Sequence, residues 1–320
     1  MPLIHSFYPD PPAYLFNSHL ETIVPSAFRK VEGSYVRERL ELTDGDFLDL
    51  DWMPNDTDRL VIITHGLEGS SDRHYSKGMA SYFHRKGWDS VAWNCRGCSG
   101  EMNRLPRFYH HGATEDISAV IDHAIKKKYK HISLVGFSMG GSMSLKYLGE
   151  RNNNTPTEVK SAVAFSVPCD LGSSARELDK PSKSFYLNRF LKKLEKKIQA
   201  KALLFPDLIS VNGFEKIKTF REFDTRYTAP LHGFVDADDF YTKASSGSYL
   251  EAIQTPTLIV NALNDPFLPE ACYPIEIAKE HAHLFLETPK RGGHVGFSLA
   301  GTGDNWMERR AFEFTNSLYL

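Results

Sequence analysis

Cysteine is scarce, with 4 residues in 320, at Cys95, Cys98, Cys169 and Cys272. That is too few for a disulfide framework and suits a reducing compartment. Cys95-Arg-Gly-Cys98 has the spacing of a redox pair or half a zinc site. No second Cys/His pair with ligand spacing accompanies it, so two free thiols are expected. No apolar run reaches the roughly 18 residues of a membrane span. The stretch from Met1 to Pro9 has neither the basic segment nor the uninterrupted apolar run of a signal peptide, so the cytoplasm is the expected compartment. No charge dominates either: 38 Lys and Arg face 40 Asp and Glu, a net charge of −2. Nothing in that balance recruits nucleic acid or an acidic membrane. Repeats and low-complexity tracts are absent. There is no P-loop, no G-x-G-x-x-G after a strand and no H-E-x-x-H, so no cofactor is implied. What remains is 41% hydrophobic and 12% aromatic, the composition of a globular protein with a large core.

Pro9, Pro11, Pro12 and Pro25 make residues 1–34 read as an irregular arm draped over that core. Tyr35–Leu42 and Phe47–Trp52 then alternate apolar and polar residues around a Thr43-to-Asp46 turn, which predicts a hairpin. Short β-branched runs follow at Leu60–Thr64, Ser90–Trp93, Ile132–Val135, Ala162–Val167, Thr257–Ala262 and Leu284–Glu287. Most lack alternation, as strands buried on both faces of a parallel sheet do. Between them lie helical patterns. The clearest, Thr114–Lys128, carries Ile117, Val120, Ile121, Ala124 and Ile125 on one stripe, with Thr114 placed to cap it. Such alternation predicts an α/β fold with a mostly parallel sheet and helices on both faces.

One stretch breaks the rhythm, between the strand ending near Val167 and the strand starting at Thr257. It reads as helices. Phe185–Lys201 sets Leu187, Leu191, Leu194 and Ile198 on one face and Arg189, Lys192, Lys193, Lys196 and Lys197 largely on the other. The expected organisation is a core of residues 1–169 and 247–320 with a helical cap inserted at 170–246. The cap's apolar face, with Phe185, Leu203, Leu204 and Phe205, could line an acyl slot. Its basic face is read as solvated, or as meeting a lipid head group at transient contact with a membrane surface.

Ile132–Val135 runs into Gly136-Phe-Ser138-Met-Gly140-Gly141 and then a helical pattern. This is G-x-S-x-G in the strand–turn–helix context that exposes a nucleophilic serine above a sheet. Two later loops complete the set. Asp265 follows the Thr257–Ala262 strand, and His294 follows Leu284–Glu287 between glycines. Both lie past the carboxyl ends of strands, on the edge that carries Ser138. The chemistry assigns Ser138 as nucleophile, His294 as general base and then acid, and Asp265 as the group orienting His294. His65, His110 and His111 compete with His294, and Asp170 competes with Asp265. For the oxyanion, the amides of Met139 and Leu67 are the expected donors, Leu67 lying in the His65-Gly66-Leu67-Glu68-Gly69 loop. His281-Ala-His283 and Asp236-Ala-Asp238-Asp239 are read as solvated helix ends rather than metal ligands.

These motifs together carry a family resemblance. His65-Gly-Leu-Glu-Gly-Ser70, Asn94-Cys-Arg-Gly-Cys-Ser-Gly-Glu101, Asn103-Arg-Leu105, Tyr109-His110 and Gly136–Gly141 resemble the YheT-like branch of the α/β-hydrolases, a branch of serine esterases related to animal monoacylglycerol lipase and phospholipase homologues. The resemblance continues through His19–Pro25, Arg221-Glu-Phe-Asp224, Ala229–Gly233, Asp239–Tyr241, Asn264–Pro266 and Gly292–His294. His111 stands where that branch more usually has a small residue. The resemblance implies a Ser138–Asp265–His294 triad beneath a lid. Animal members look anchored to membranes by an N-terminal segment that has no match here. The implied activity is hydrolysis of carboxylic esters, with short- to medium-chain acyl or monoacylglycerol-like substrates, no metal and no cofactor. A thioesterase, peptidase or cofactor-free perhydrolase would reuse the same triad, and a non-catalytic ligand-binding scaffold would leave it idle.

Overall fold

The computed structural model describes residues 3–318. The chain opens with β1 (Leu3–Ile4), α1 (Ser18–Phe28), β2 (Val36–Glu41), β3 (Phe47–Met53) and β4 (Arg59–Thr64). It continues through α2 (His74–Arg85), β5 (Asp89–Asn94), α3 (Thr114–Lys126), β6 (His131–Phe137), α4 (Met139–Arg151) and β7 (Val159–Phe165). A run of helices follows: α5 (Leu171–Leu178), α6 (Ser184–Leu204), α7 (Phe220–Phe223), α8 (Ala229–His232) and α9 (Ala237–Ala244). The last elements are β8 (Thr257–Val260), α10 (Ile275–Glu280), β9 (Leu284–Glu287) and α11 (Trp306–Ser317).

Among the described residues nine strands form one sheet, in the order β1-β9-β8-β7-β6-β4-β5-β3-β2. The β2–β3 and β3–β5 pairs are antiparallel and all the others parallel. The expected hairpin is there, with Leu40 opposite Leu48. The unalternating strands are buried on both faces because each face has its own helical layer. Val61, Ile63, Val135 and Val163 pack with α2 and α11 through Met79, Phe83, Met307 and Phe314. Their neighbours Leu60, Ile62, Leu134 and Ala162 face the other way, toward Ile117, Ile121 and Leu148 of α3 and α4. A period of two thus serves two cores at once.

Three local expectations need correction. The arm is not irregular throughout, because α1 occupies Ser18–Phe28, capped by the Asn17 side chain accepting from Leu20 N. Pro25 lies inside that helix. It lacks an N–H, so the Glu21 carbonyl has no intrahelical partner there. Thr114 does not cap α3 with its side chain: Ala113 is the cap residue, and Thr114 Oγ1 donates to Glu150 at 2.6 Å. Finally, the alternation in β3 does not expose its acids. Asp49 and Asp51 are buried, paired with Arg39 at 2.8 Å and Arg37 at 2.7 Å on β2.

The Cys95–Cys98 turn is anchored by the residue between its thiols. Arg96 is buried among Asp116 (2.6 Å), Asp46 (2.9 Å) and Asp44 (2.8 Å), while all four cysteines are free. Among the described residues no helix is long and apolar enough to cross a membrane.

Candidate active site

Ser138 stands between β6 and α4 with φ 54° and ψ −118°, a conformation costly for a residue with a Cβ. The surroundings hold it there. Ser138 N donates to Phe165 O at 2.8 Å, and Ser142 N returns to Ser138 O at 3.0 Å. Gly140 makes the turn possible, since a Cβ there would lie 2.3 Å from Thr64 O. The sharp turn lifts the hydroxyl above the sheet edge.

The later loops bring Asp265 and His294 to it. His294 Nε2 lies 3.0 Å from Ser138 Oγ, and its Nδ1 lies 2.8 Å from Asp265 Oδ2. With the Nδ1 proton directed at the carboxylate, Nε2 is left to accept from the hydroxyl. Asp265 is itself held, accepting from Phe267 N at 2.8 Å, and the Phe267 ring packs 4.1 Å from the imidazole centroid. Asp170 sits elsewhere: it caps α5, accepting from Ser173 N at 2.6 Å. His65 is buried, its Nε2 accepting from Cys95 N at 3.1 Å. His110 and His111 line the cavity beyond the serine, and burial holds both well below the usual imidazole range, His111 at about 4.

The loop after β4 presents Leu67 by exclusion of its neighbours. Gly66 N donates to Tyr75 OH at 3.1 Å and Glu68 N to Tyr109 OH at 2.8 Å. Between them the Leu67 N–H has no partner among the described residues, and neither has the Met139 N–H that opens α4. An N–H with no internal partner is free to donate to a ligand oxygen. The same loop is clamped by α6. Lys193 Nζ donates to Glu68 O at 2.9 Å, and Lys197 Nζ lies 3.0 Å from the Glu68 carboxylate, 3.2 Å from Cys98 Sγ and 4.5 Å from the Tyr109 ring centroid.

That clamp corrects the expectation of a solvated face at Lys193 and Lys197 alone, since Arg189, Lys192 and Lys196 are exposed as expected. Lys197 is 6% exposed and Lys201 0%. Lys201 donates to Asn103 O at 3.0 Å and also to Leu105 O, and burial presses its ammonium down to about 8 despite the nearby Asp46. Positions 193, 197 and 201 form one stripe at helical spacing, a polar seam docked on the core beside a face that stays exposed. Of the further slot residues expected, Phe185, Leu203 and Leu204 are 58%, 86% and 55% exposed, while Phe205 packs against the core. Leu194 of the expected apolar face does line the cavity, together with Leu171, Leu178, Phe190, Phe220 and Phe223.

Sequence reasoning missed the part played by α1. Glu21 accepts from Arg291 Nε at 2.8 Å, Gly292 N at 2.7 Å and Asn264 Nδ2 at 2.9 Å, while Thr22 Oγ1 accepts from His294 N at 2.9 Å. Helix α1 therefore ties the acid loop to the histidine loop. Gly296 packs against it so closely that a Cβ would lie 2.2 Å from the free Glu21 carbonyl. The signal was the His19–Pro25 block, legible as a resemblance but mute about its partners. Among the described residues no group of three or more His, Cys, Asp or Glu is placed to hold a metal. Asp236 caps α9, and Asp238 pairs with Arg221 at 2.5 Å.

A serine at a strained strand–helix turn, with later acid and histidine loops on the same sheet edge, is the architecture of the alpha/beta hydrolase fold. Residues 59–300 match that family, and the chain belongs to it. It is 35% identical over 307 residues to the candidate esterase YheT of Escherichia coli (strain K12), covering 92% of this chain and 88% of that protein. It is 32% identical over 300 residues to phospholipase ABHD3 of Bos taurus, covering 90% and 72%. With the monoacylglycerol lipase of Saccharomyces cerevisiae it shares 28% identity over 297 residues, covering 87% and 65%. Among solved structures, the Pyrococcus furiosus esterase Pf2001 shares the fold at a TM-score of 0.58 and 18% identity, over 90% of this chain and 98% of that one.

Proposed function

We propose that the protein is a carboxylic ester hydrolase working through Ser138, His294 and Asp265, with the Leu67 and Met139 amides as oxyanion hole. The observation that carries this reading is the unbroken run from Asp265 Oδ2 through His294 to Ser138 Oγ, at 2.8 and 3.0 Å. His294 Nε2 takes the Ser138 proton as Oγ attacks the ester carbonyl. The carbonyl oxygen then carries the negative charge that the two unpartnered amides hold. As the tetrahedral species collapses, His294 returns the proton to the departing alcohol and the acyl group stays on Ser138. Water then repeats the sequence and frees the acid. Asp265 stabilises the imidazolium in both halves.

The helical segment 170–246 acts as a cap over this site, placing Leu171, Phe190 and Phe220 around the acyl chain. A cavity beside Ser138 walled by Phe108, Phe190, Phe220 and Phe223 suits an acyl chain, and short- to medium-chain esters, including monoacylglycerol-like ones, are its proposed substrates. The relatives named esterase, phospholipase and monoacylglycerol lipase support the ester-cleaving class. The four free thiols fit a reducing, cytoplasmic compartment. The test is a chain-length series of p-nitrophenyl esters. Turnover is expected to peak at short to medium chains and to disappear in Ser138→Ala, which retains the fold. No turnover at any length by folded wild type contradicts the reading, and faster cleavage of matched acyl-thioesters redirects it to thioester hydrolysis.

A further inference from the structure

Ser138 does not open onto one cavity but onto two. Leu67, Ser138, Phe190, Phe267 and His294 border both. On one side lies the aromatic chamber already described. On the other lies a second cavity, and its walls differ in kind: Arg73, His74, Arg189 and Lys193 stand among Thr22, Ser26 and Tyr186.

The charges of this second cavity are not neutralised internally. Among the described residues neither Arg73, Arg189 nor Lys193 forms an ion pair with a carboxylate. Arg73 donates to the neutral Ser26 hydroxyl at 2.9 Å and Lys193 to the Glu68 carbonyl at 2.9 Å, while Arg189 is exposed. The one carboxylate on the wall, Glu68, is already occupied by Lys197 at 3.0 Å and the Tyr109 hydroxyl at 2.5 Å. Burial, with Arg73 next, pulls the Lys193 ammonium below its usual range. His74 is 8% exposed, and its Nδ1 has no hydrogen-bond partner. Burial, reinforced by Arg29 and Arg73, lowers it to about 3, so it stays neutral and free to hydrogen-bond a ligand. Three unpaired cations crowded beside a reactive serine carry an electrostatic cost that a bound anion would relieve.

Hydrocarbon belongs in the aromatic chamber, where burial removes it from water. That leaves the cationic cavity for the alcohol half of the ester. Resting on the esterase reading, we propose that the preferred substrates carry an anionic group, phosphate or carboxylate, on the alcohol half, held by Arg73, Arg189 and Lys193. The anion leaves with the alcohol while the uncharged acyl group stays on Ser138. This makes the second cavity a specificity site separate from the acyl chamber.

The experiment compares kcat/KM of wild type for hexanoyl esters that differ only in the alcohol: glycerol, phosphoglycerol and lactate. Monoethyl adipate, with its anion on the acyl half, is the control. At low salt both anionic alcohols are expected to exceed the glycerol ester by about tenfold, an advantage that fades as added salt screens it. The larger of the two ratios tells phosphate from carboxylate recognition. In Arg189→Gln, and further in Arg73→Gln/Arg189→Gln, the ratio of anionic to neutral turnover is expected to fall toward one. Arg189 is exposed, so the single variant keeps the test alive where the double variant fails to fold. Equal turnover of neutral and anionic alcohols overturns the proposal and leaves the hydrolase standing. A ratio unchanged in Arg189→Gln and in a folded double variant overturns it too, as does a preference that follows the acyl-half anion. Failure to cleave any of the four esters overturns both readings together.

Discussion

The sheet edge and the helical segment 170–246 meet over Ser138, yet they use charge in opposite ways. At the sheet edge each polar group of the triad has a partner, and backbone strain is spent on aiming them: Ser138 and Val295 both sit at φ 54°. In the helical segment, ionisable groups are buried for contact. Lys197 and Lys201 dock on the core loops, and Asp224 is buried at the cavity wall, its carboxylate hydrogen-bonded by the Thr228 and Tyr241 hydroxyls at 2.6 and 2.8 Å. In the proposed mechanism the first region selects the bond to be cleaved, and the second covers the cleft and selects what it admits. Buried charges are costly to separate, so the segment's seating on the Leu67–Glu68 loop should be sensitive to single substitutions.

The largest expected effect falls on the sheet edge. Asp265→Asn leaves the shape but no longer fixes the imidazole tautomer, and kcat should fall by about a thousandfold or more with KM little changed. A loss under tenfold would remove Asp265 from the mechanism. In the helical segment, Lys197→Ala leaves the Glu68 carboxylate buried and unpaired. Stability should drop by about 3–5 kcal/mol in urea unfolding, with a fall in kcat as the Leu67 amide loses its seat. A drop in stability alone would uncouple the two regions.

Asp224→Asn sharpens the contrast through pH. Burial raises the Asp224 carboxyl from its ordinary value to about 7, with Asp179 adding and the two hydroxyls opposing. The folded state therefore favours the protonated acid. Its contribution is complete below the unfolded value near 4 and is lost as pH rises through about 7. The Asn variant's margin over wild type should widen between pH 5 and pH 8.5, by on the order of 2 kcal/mol in thermal unfolding. A pH-independent difference would contradict the assignment. The smallest effect is expected from Thr22→Val, which deprives the His294 N–H of its acceptor. It should cost about 1–2 kcal/mol and about threefold in kcat.

The same contrast explains what was legible in the sequence. Strand runs, the G-x-S-x-G turn and the glycine-flanked His294 are local signals, and local signals survive without coordinates. The hairpin, the parallel strands and the triad residues could be placed from them. Asp265 is favoured over Asp170 by its loop after a later strand, and the structure sets it 2.8 Å from His294 Nδ1 while Asp170 caps α5. The lysine stripe of α6 misled because a periodic basic face reads as solvated unless its partners are known. Those partners, Glu68, Asn103 and Leu105, lie about a hundred residues away in sequence. Thr22 and Glu21 escaped for the same reason, since nothing near them hints at the His294 loop.

The central claim is that Ser138 is a nucleophile activated by His294. Intact-mass measurement after brief exposure to a fluorophosphonate, followed by peptide mapping, tests it directly. One adduct per chain is expected, on Ser138, slowed strongly in His294→Ala and absent in Ser138→Ala. An unmodified, folded wild type, or an adduct on any other residue that persists in Ser138→Ala, would contradict the account.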